Sequence, residues 1–278
     1  MSTKSGELTS SKSQLSSSVY VESLARGLEV IQTFSAEKPE MTLTEVAHET
    51  GLSPATARRF LLTLKELGFV ASNGRKFMLR SKCLLLGSAF LNSMNLRDIA
   101  ESWLQDVAEV FDDATSLAVL EDDFAVYVAH VPNRRAARYR VRVGSRHPAF
   151  CTSLGQVLLS RMDEAETEAF LSQAPFPSYT ARTMTSAEEV RAALDSVRAN
   201  GYSSVQDQLE YGSIAVAVPV TDSQGRIIAA INCSTETSTV DMQTLVETRL
   251  PLLRSAAREI GSGLRRQPAL VHSIFPES

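Results

Sequence analysis

Arg58 and Arg59 stand side by side in the run Ser53-Pro54-Ala55-Thr56-Ala57-Arg58-Arg59-Phe60-Leu61-Leu62-Thr63-Leu64. A guanidinium can pair bidentately with guanine or hold a phosphate, and the small polar residues Ser53, Thr56 and Thr63 can reach phosphates or base edges. Ala55 and Arg59 share the face opposite Ala57, Phe60, Leu61 and Leu64, whereas Leu62 does not suit a polar face. Downstream, Arg75 and Lys76 follow Asn73-Gly74, and upstream Thr42 and Arg26 are further candidates for phosphate contact. From Gly51 to Lys82 the basic residues outnumber the single acid Glu66 to give a net charge of +6, although the whole chain carries −4. A basic cluster alone is usually a solvated face. Here it coincides with a helix that can enter the major groove of double-stranded DNA and a hairpin that can lie along the adjacent backbone.

A second set of chemically capable residues lies in Arg146-His147-Pro148-Ala149-Phe150-Cys151-Thr152-Ser153-Leu154-Gly155, a loop feeding an apolar helix. Thr152 or Ser153 can cap that helix, whose first amides and positive dipole end suit a carboxylate, with Arg146 or His147 adding charge. Asn232 and Ser234 interrupt an apolar strand, and buried polar groups there need partners, of which a small polar ligand is one. Asp207 and Glu210 precede Gly212 in a loop able to close over the same place. Cys151 with His147, or Ser153 with His130, are the pairs a nucleophile and base would require, but neither has a nucleophile-elbow or catalytic-cysteine context. No metal-ligand spacing and no cofactor motif is present, and the expectation is a binding protein rather than an enzyme.

The elements that must position these residues are marked locally. Thr42 and Glu45 have capping-box spacing, Leu43, Val46 and Ala47 make one helix face, and Gly51 ends the helix. Ser53 and Pro54 start the next helix within a few residues, as a helix-turn-helix requires, and Gly68 closes it. Phe69 to Ala71, a type I′ turn at Asn73-Gly74, and the return strand with Phe77 and Leu79 form a wing. A preceding helix over about 21–35 carries Leu24, Leu28 and Ile31 on one stripe, and Cys83 to Met94 is an apolar helix suited to pairing with a second subunit, since two-fold DNA half-sites call for a dimer. Beyond it a helix with Ile99, Trp103, Val107 and Phe111 leads to strands over 115–120, 124–131 and 138–143, the last alternating Arg138, Arg140 and Arg142 with Tyr139, Val141 and Val143. Helices over 154–161, 163–173 and 187–199, a hairpin of 213–220 and 226–234 turning at Asp222 to Gly225, and a long helix over 241–264, bent or offset near Pro251, complete the pattern. Strands, then helices, then strands again describe an α+β domain with an antiparallel sheet.

With 278 residues the chain suits two domains. The divisions expected are a serine-rich disordered tail at 1–18, a winged helix-turn-helix domain at 19–82, a linker or dimerisation helix at 83–96 and a second domain at 97–267. Residues 96–278 carry a net −7, which excludes the second domain as a polyanion surface. The tail lacks the apolar core of a signal peptide, no run approaches a membrane span, and Cys83, Cys151 and Cys233 are scattered, so the cytoplasm is the expected location and no membrane the expected partner.

Along nearly its whole length after the tail the chain resembles the IclR family of bacterial transcription regulators. The resemblance rests on Arg26-Gly27-Leu28, Ala55 to Leu64, Gly74-Arg75-Lys76-Phe77, Pro148 to Gly155 and Ile214-Ala215-Val216-Ala217-Val218-Pro219-Val220, several of which look like the branch controlling β-ketoadipate and aromatic-acid catabolism. It implies a homodimer or dimer of dimers whose C-terminal, GAF-like domain binds a small organic acid and alters promoter binding. It also implies an effector pocket at Ser153, Leu154, the Asp207 and Glu210 loop, Asn232 and Ser234. The chain departs from that branch in reading Gly212-Ser213-Ile214-Ala215 where Gly-Leu-Arg-Ser usually precedes Ile-Ala-Val-Pro, and in carrying Cys151 and Leu154. The competing reading is a ligand-binding or enzymatic domain whose helix-turn-helix contacts protein.

Overall fold

The structure, a computed structural model, describes residues 19–264 apart from Ala36, Asn95 and 134–140. It falls into two compact units that divide between Ala89 and Phe90. The tail expected at 1–18 and the chain after 264 lie outside the described residues.

In the first unit, α1 (Glu22–Gln32) is followed by β1 (Glu40–Thr42), α2 (Leu43–Thr50), α3 (Pro54–Glu66), β2 (Val70–Ser72) and β3 (Lys76–Leu79). The cap signals act where their spacing places them. Thr42 and Glu45 form a reciprocal capping box on α2, and Gly51 takes φ +64° at its end. Ser53 accepts the Thr56 amide at the start of α3. At its other end Gly68, with φ +82°, allows the Phe69 amide to reach back to Leu64 O and the Gly68 amide to Lys65 O, a Schellman ending. Val30, Phe34, Met41, Val46, Leu61, Leu64 and Val70 fill the core. Full burial of each large side chain contributes about 1.5–3 kcal/mol.

The antiparallel order β1-β3-β2 adds a strand, β1, that the sequence pattern does not announce, since three residues are too few to alternate. The wing's turn also differs from expectation. Asn73 and Lys76 close it, with Gly74 and Arg75 at the centre, and of these two only Gly74 has positive φ, at +96°. A type I′ turn needs positive φ at both central positions. Asn73 instead acts as an acceptor, its Oδ1 taking the amides of Arg75 and Lys76. The stripe expected on α1 is displaced: Val30 is buried, but Leu24 and Leu28 face solvent at 63% and 46% exposure. The helix over 83–94 is present as α4 (Cys83–Met94), and Leu84, Leu85 and Leu86 on it are exposed.

The second unit contains α5 (Leu96–Phe111), β4 (Ala114–Glu121), β5 (Phe124–Val131), β6 (Arg146–Pro148), the short 3-10 turn Ala149–Cys151, α6 (Ser153–Leu159), α7 (Glu164–Leu171) and α8 (Ala187–Asn200). These are followed by β7 (Ser203–Gln206), β8 (Ser213–Thr221), β9 (Ile227–Glu236) and α9 (Met242–Leu264). The described strands form one antiparallel sheet in the order β6-β5-β4-β9-β8-β7. Of the strand expected over 138–143, residues 138–140 lie outside the described residues and 141–143 are not strand; among the described strands β6 stands at that end of the order. Pro251 sits within an uninterrupted α9, and Trp103 is partly exposed while Ala100, Leu104 and Val107 carry the buried face of α5.

The two sheet faces differ in side-chain size, which decides where a cavity can exist. One face presents Ile214, Val216, Val218, Val220, Ile231 and Cys233 to α5 and α9, a core of large branched side chains. The other presents Ala118, Ala217 and Ala230 with Tyr127 to α6 and α8. Small residues let α6 approach closely and leave space beside its first turn. At Gly155 the approach is extreme, because a Cβ there would lie 2.2 Å from the Ala149 backbone.

Candidate functional site

The basic surface is built on α3 and the wing. Ala57, Leu61 and Leu64 anchor α3, which leaves Ala55, Arg58, Arg59, Leu62 and Thr63 exposed. Arg58, Arg59 and Arg75 make no ion pair with any described residue. The remaining candidates are already engaged within the unit. Arg26 donates to Glu29 at 2.9 Å and lies 3.8 Å from Glu22 on its own helix, and its hydrogen bond to Glu29 raises its pKa. Lys76 pairs with Glu40 at 2.7 Å. Thr42 is held by Glu45, whose pKa is lowered by the Thr42 amide and hydroxyl. Ser53 and Thr56 share a 2.9 Å hydrogen bond, and the Thr63 hydroxyl donates to Arg59 O. Three arginines on one helix and one hairpin are therefore the cations left for an external anion among the sequence-proposed set.

In the second unit a cavity of about 70 Å³ opens beside the start of α6. His147, Thr152, Ser153, Asp207, Glu210, Asn232 and Ser234 line it, joined by Tyr127, Cys151, Gln208 and Ser213, which sequence reasoning did not place there as a ligand site. Tyr127 gave no local signal because its neighbours on β5 are ordinary strand residues; its burial beside His147, with ring centroids 5.1 Å apart, depends on β5 pairing with β6. Arg146, Phe150 and Leu154 stand outside the lining. The Arg146 guanidinium lies over Phe124 and 3.7 Å from Asp122, Phe150 stacks on Phe176 within a core cluster, and Leu154 is fully buried among apolar neighbours. Thr152, not Ser153, caps α6, and with seven residues that helix is too short to bring a large dipole to bear.

The electrostatics of the cavity are mostly neutral. Desolvation lowers the His147 pKa and keeps its imidazole uncharged at neutral pH, while burial raises the Tyr127 hydroxyl and pushes the Cys151 thiol up to about 12. Asp207, at φ +57°, spends one carboxylate oxygen on the Gly212 amide at 2.6 Å and holds the other 3.6 Å from Arg182. It shapes the turn it belongs to. Thr180 and Thr183 pin this turn from outside by donating to Asp207 O and Gln208 O. Glu210 stands at the rim with its pKa raised by desolvation. Asn232 is 5% exposed and its Oδ1 has no hydrogen-bond partner. A protonated Cys151 lacks the thiolate of a nucleophile, and His130 bonds Ser116 rather than Ser153.

A larger concavity of about 590 Å³ lies between α7 and α8. It is an open groove whose Arg191 is already paired with Glu164 and Glu168, so it offers fewer free groups than the smaller cavity.

Residues 23–74 match the IclR helix-turn-helix domain, and residues 88–262 match the bacterial transcriptional regulator IclR C-terminal domain. The chain belongs to the IclR family. Within that family it is 37% identical over 242 residues to the Pca regulon regulatory protein of Pseudomonas putida, covering 87% of this chain and 83% of that one. It is 35% identical over 246 residues to the p-hydroxybenzoate hydroxylase transcriptional activator of Acinetobacter baylyi, covering 87% and 91%. An IclR homologue from Microbacterium hydrocarbonoxydans, solved in complex with 4-hydroxybenzoate, superposes with a TM-score of 0.74 at 26% identity, covering 88% and 99%. The chain is thus a helix-turn-helix transcription regulator and not an enzyme, and its similarity falls in the aromatic-acid branch of the IclR family. Among the described residues no helix is long and apolar enough to cross a membrane.

Proposed function

We propose that this IclR-family protein controls genes for the breakdown of an aromatic or related small organic acid, in the cytoplasm, by binding promoter DNA through α3 and the wing. The observation that carries the DNA surface is the set of exposed arginines without ion pairs, Arg58, Arg59 and Arg75, on a helix whose opposite face is locked into the core. Arg26, Thr42, Ser53, Ala55, Thr56, Thr63 and Lys76 contribute surrounding backbone contacts, with Arg26 and Lys76 having to share their charge with carboxylates already bound to them. The Arg59→Ala variant is expected to lose operator binding in a gel-shift or anisotropy titration while keeping the wild-type thermal shift with effector. Wild-type affinity is expected to fall steeply as salt rises, because phosphate contacts release counterions. An affinity indifferent to salt would favour protein contact by the helix-turn-helix instead.

The effector occupies the cavity beside α6. The Microbacterium hydrocarbonoxydans homologue is solved with 4-hydroxybenzoate, and the lining here joins an aromatic ring, Tyr127, to hydroxyl and amide groups that suit such an acid. A cavity known to hold a benzene ring measures about 150 Å³. An aromatic acid therefore enters as the turn over 207–212 moves outward, which links occupancy to a change in shape. A second copy of the chain covers the exposed leucines of α1 and α4, since Leu24, Leu28, Leu84, Leu85 and Leu86 are more apolar surface than one such unit leaves in water. The effector acts by changing the spacing or angle of the paired winged helices. Thermal-shift screening of small aromatic and aliphatic acids tests the effector class, with a selective rise in melting temperature expected for aromatic acids and a uniform absence of shift overturning it.

A further inference from the structure

Asn232 lies in the middle of β9, in a sheet where every other side chain on its row is either apolar or already committed. Its cross-strand neighbours are Ser116 on β4 and Ala217 on β8. The Ser116 hydroxyl is bonded to His130 Nδ1 at 3.0 Å, and Ala217 offers no polar atom. Further along the row, Ser203 opposite Ala217 donates to Gln156 at 2.6 Å. Asn232 is left with a buried Oδ1 that accepts no hydrogen bond and an Nδ2 that donates to no described residue, and the residue lines the cavity. On the facing turn, Gln208 also has a buried Oε1 without a partner.

An orphaned amide in a sheet is costly, and an apolar residue of the same size would avoid the cost. The chemistry of the amide says what completes it. Oδ1 requires a donor and Nδ2 requires an acceptor, whichever way the amide is turned. A carboxylate is acceptor-only and leaves Oδ1 unsatisfied. A hydroxyl is both donor and acceptor and adds no charge.

Resting on the reading that the effector is a small organic acid, we propose that Asn232 is a specificity-determining residue that reads a hydroxyl group of the effector, so that the site prefers a hydroxylated acid to the same acid without that hydroxyl. A site built to bond a hydroxyl rejects the analogue lacking it because the buried amide is then left unpaired. For one such group the preference is expected to be about 10- to 100-fold in Kd.

The test is calorimetric titration of the full-length protein with benzoate, 3-hydroxybenzoate, 4-hydroxybenzoate and 3,4-dihydroxybenzoate, repeated on Asn232→Leu. Wild type is expected to bind at least one hydroxylated acid at least tenfold more tightly than benzoate. Asn232→Leu, near-isosteric and unable to hydrogen bond, is expected to bind benzoate no more weakly than wild type does and to lose most of the preference. A structural role alone would weaken all four acids together and leave their ratios unchanged, which overturns the proposal. Equal binding of benzoate and the hydroxylated acids by wild type overturns it too, while leaving the aromatic-acid reading intact. Binding of none of the four overturns that reading and this inference with it. If Asn232→Leu melts too low to titrate, Asn232→Ala is measured in the same way, and an undiminished preference there counts against the proposal.

Discussion

The buried pair between Arg249 and Asp113 shows how one contact can hold two distant elements. Arg249 on α9 donates to Asp113 at 2.9 Å, Asp113 is fully buried, and the guanidinium lies over the Phe111 ring at 4.2 Å. Removing the arginine leaves an unpaired carboxylate in the core, which costs about 3–5 kcal/mol, whereas replacing both partners by apolar residues is close to neutral. Arg249→Leu is therefore expected to lower the denaturation midpoint sharply in urea, and Asp113→Leu combined with Arg249→Leu to recover much of the loss. The surface arginines behave differently. Arg58 and Arg59 are exposed and unpaired, so their replacement is expected to move stability little, within about 0.5 kcal/mol, while on the proposed DNA surface it is expected to weaken operator binding. On the proposed reading, different arginines carry stability and DNA contact in this chain.

Among elements, the join between the 3-10 turn at Ala149–Cys151 and α6 is the tightest point near the cavity. Gly155 sits on α6 where its missing side chain admits the Ala149 backbone. Gln156 reaches back to Phe150 O at 3.0 Å and binds Ser203 at the same time, tying the turn, α6 and β7 together. A methyl group at 155 has only backbone to push against. Gly155→Ala is expected to separate the turn from α6, displace Thr152 and Ser153, and lower both melting temperature and effector affinity, with operator binding by the first unit retained. Melting curves and titration of the same sample check this; an unchanged melting temperature would mean the turn yields without cost.

At the scale of the molecule, two half-buried histidines contribute to how stability responds to acid. Desolvation dominates at both His147 and His130 and lowers their pKa values from 6.5. Below pH 6.5 the unfolded chain takes up protons that the folded chain refuses, so stability is full above about 6.5 and is lost as pH falls through the folded values. Glu210, with its pKa raised by burial, acts in the opposite direction nearer the carboxylate range. The melting temperature is expected to decline between pH 7 and 5.5, and His147→Gln with His130→Gln to flatten that decline relative to its own value at pH 7.

The sequence by itself determined the local parts of this protein. Thr42 with Glu45, Ser53 with Pro54, Gly51 and Gly68 act within a few residues of themselves, so their spacing is enough to specify two helices, the turn between them and their ends. The apolar runs of β8 and β9, with the turn residues Asp222 to Gly225 between them, likewise identified a hairpin and the polar interruption at Asn232 and Ser234. Only the tertiary structure decided that β4 lies beside β9, a pairing between segments more than a hundred residues apart. That pairing gives Asn232 its neighbours and leaves its amide without a partner. Nor could local pattern show that Leu24 and Leu28 remain exposed, that Arg146 turns out onto Phe124, or that Tyr127 and Gln208 enter the cavity. Each depends on which distant surface covers a given face, and burial is a property of the assembled chain rather than of any segment within it.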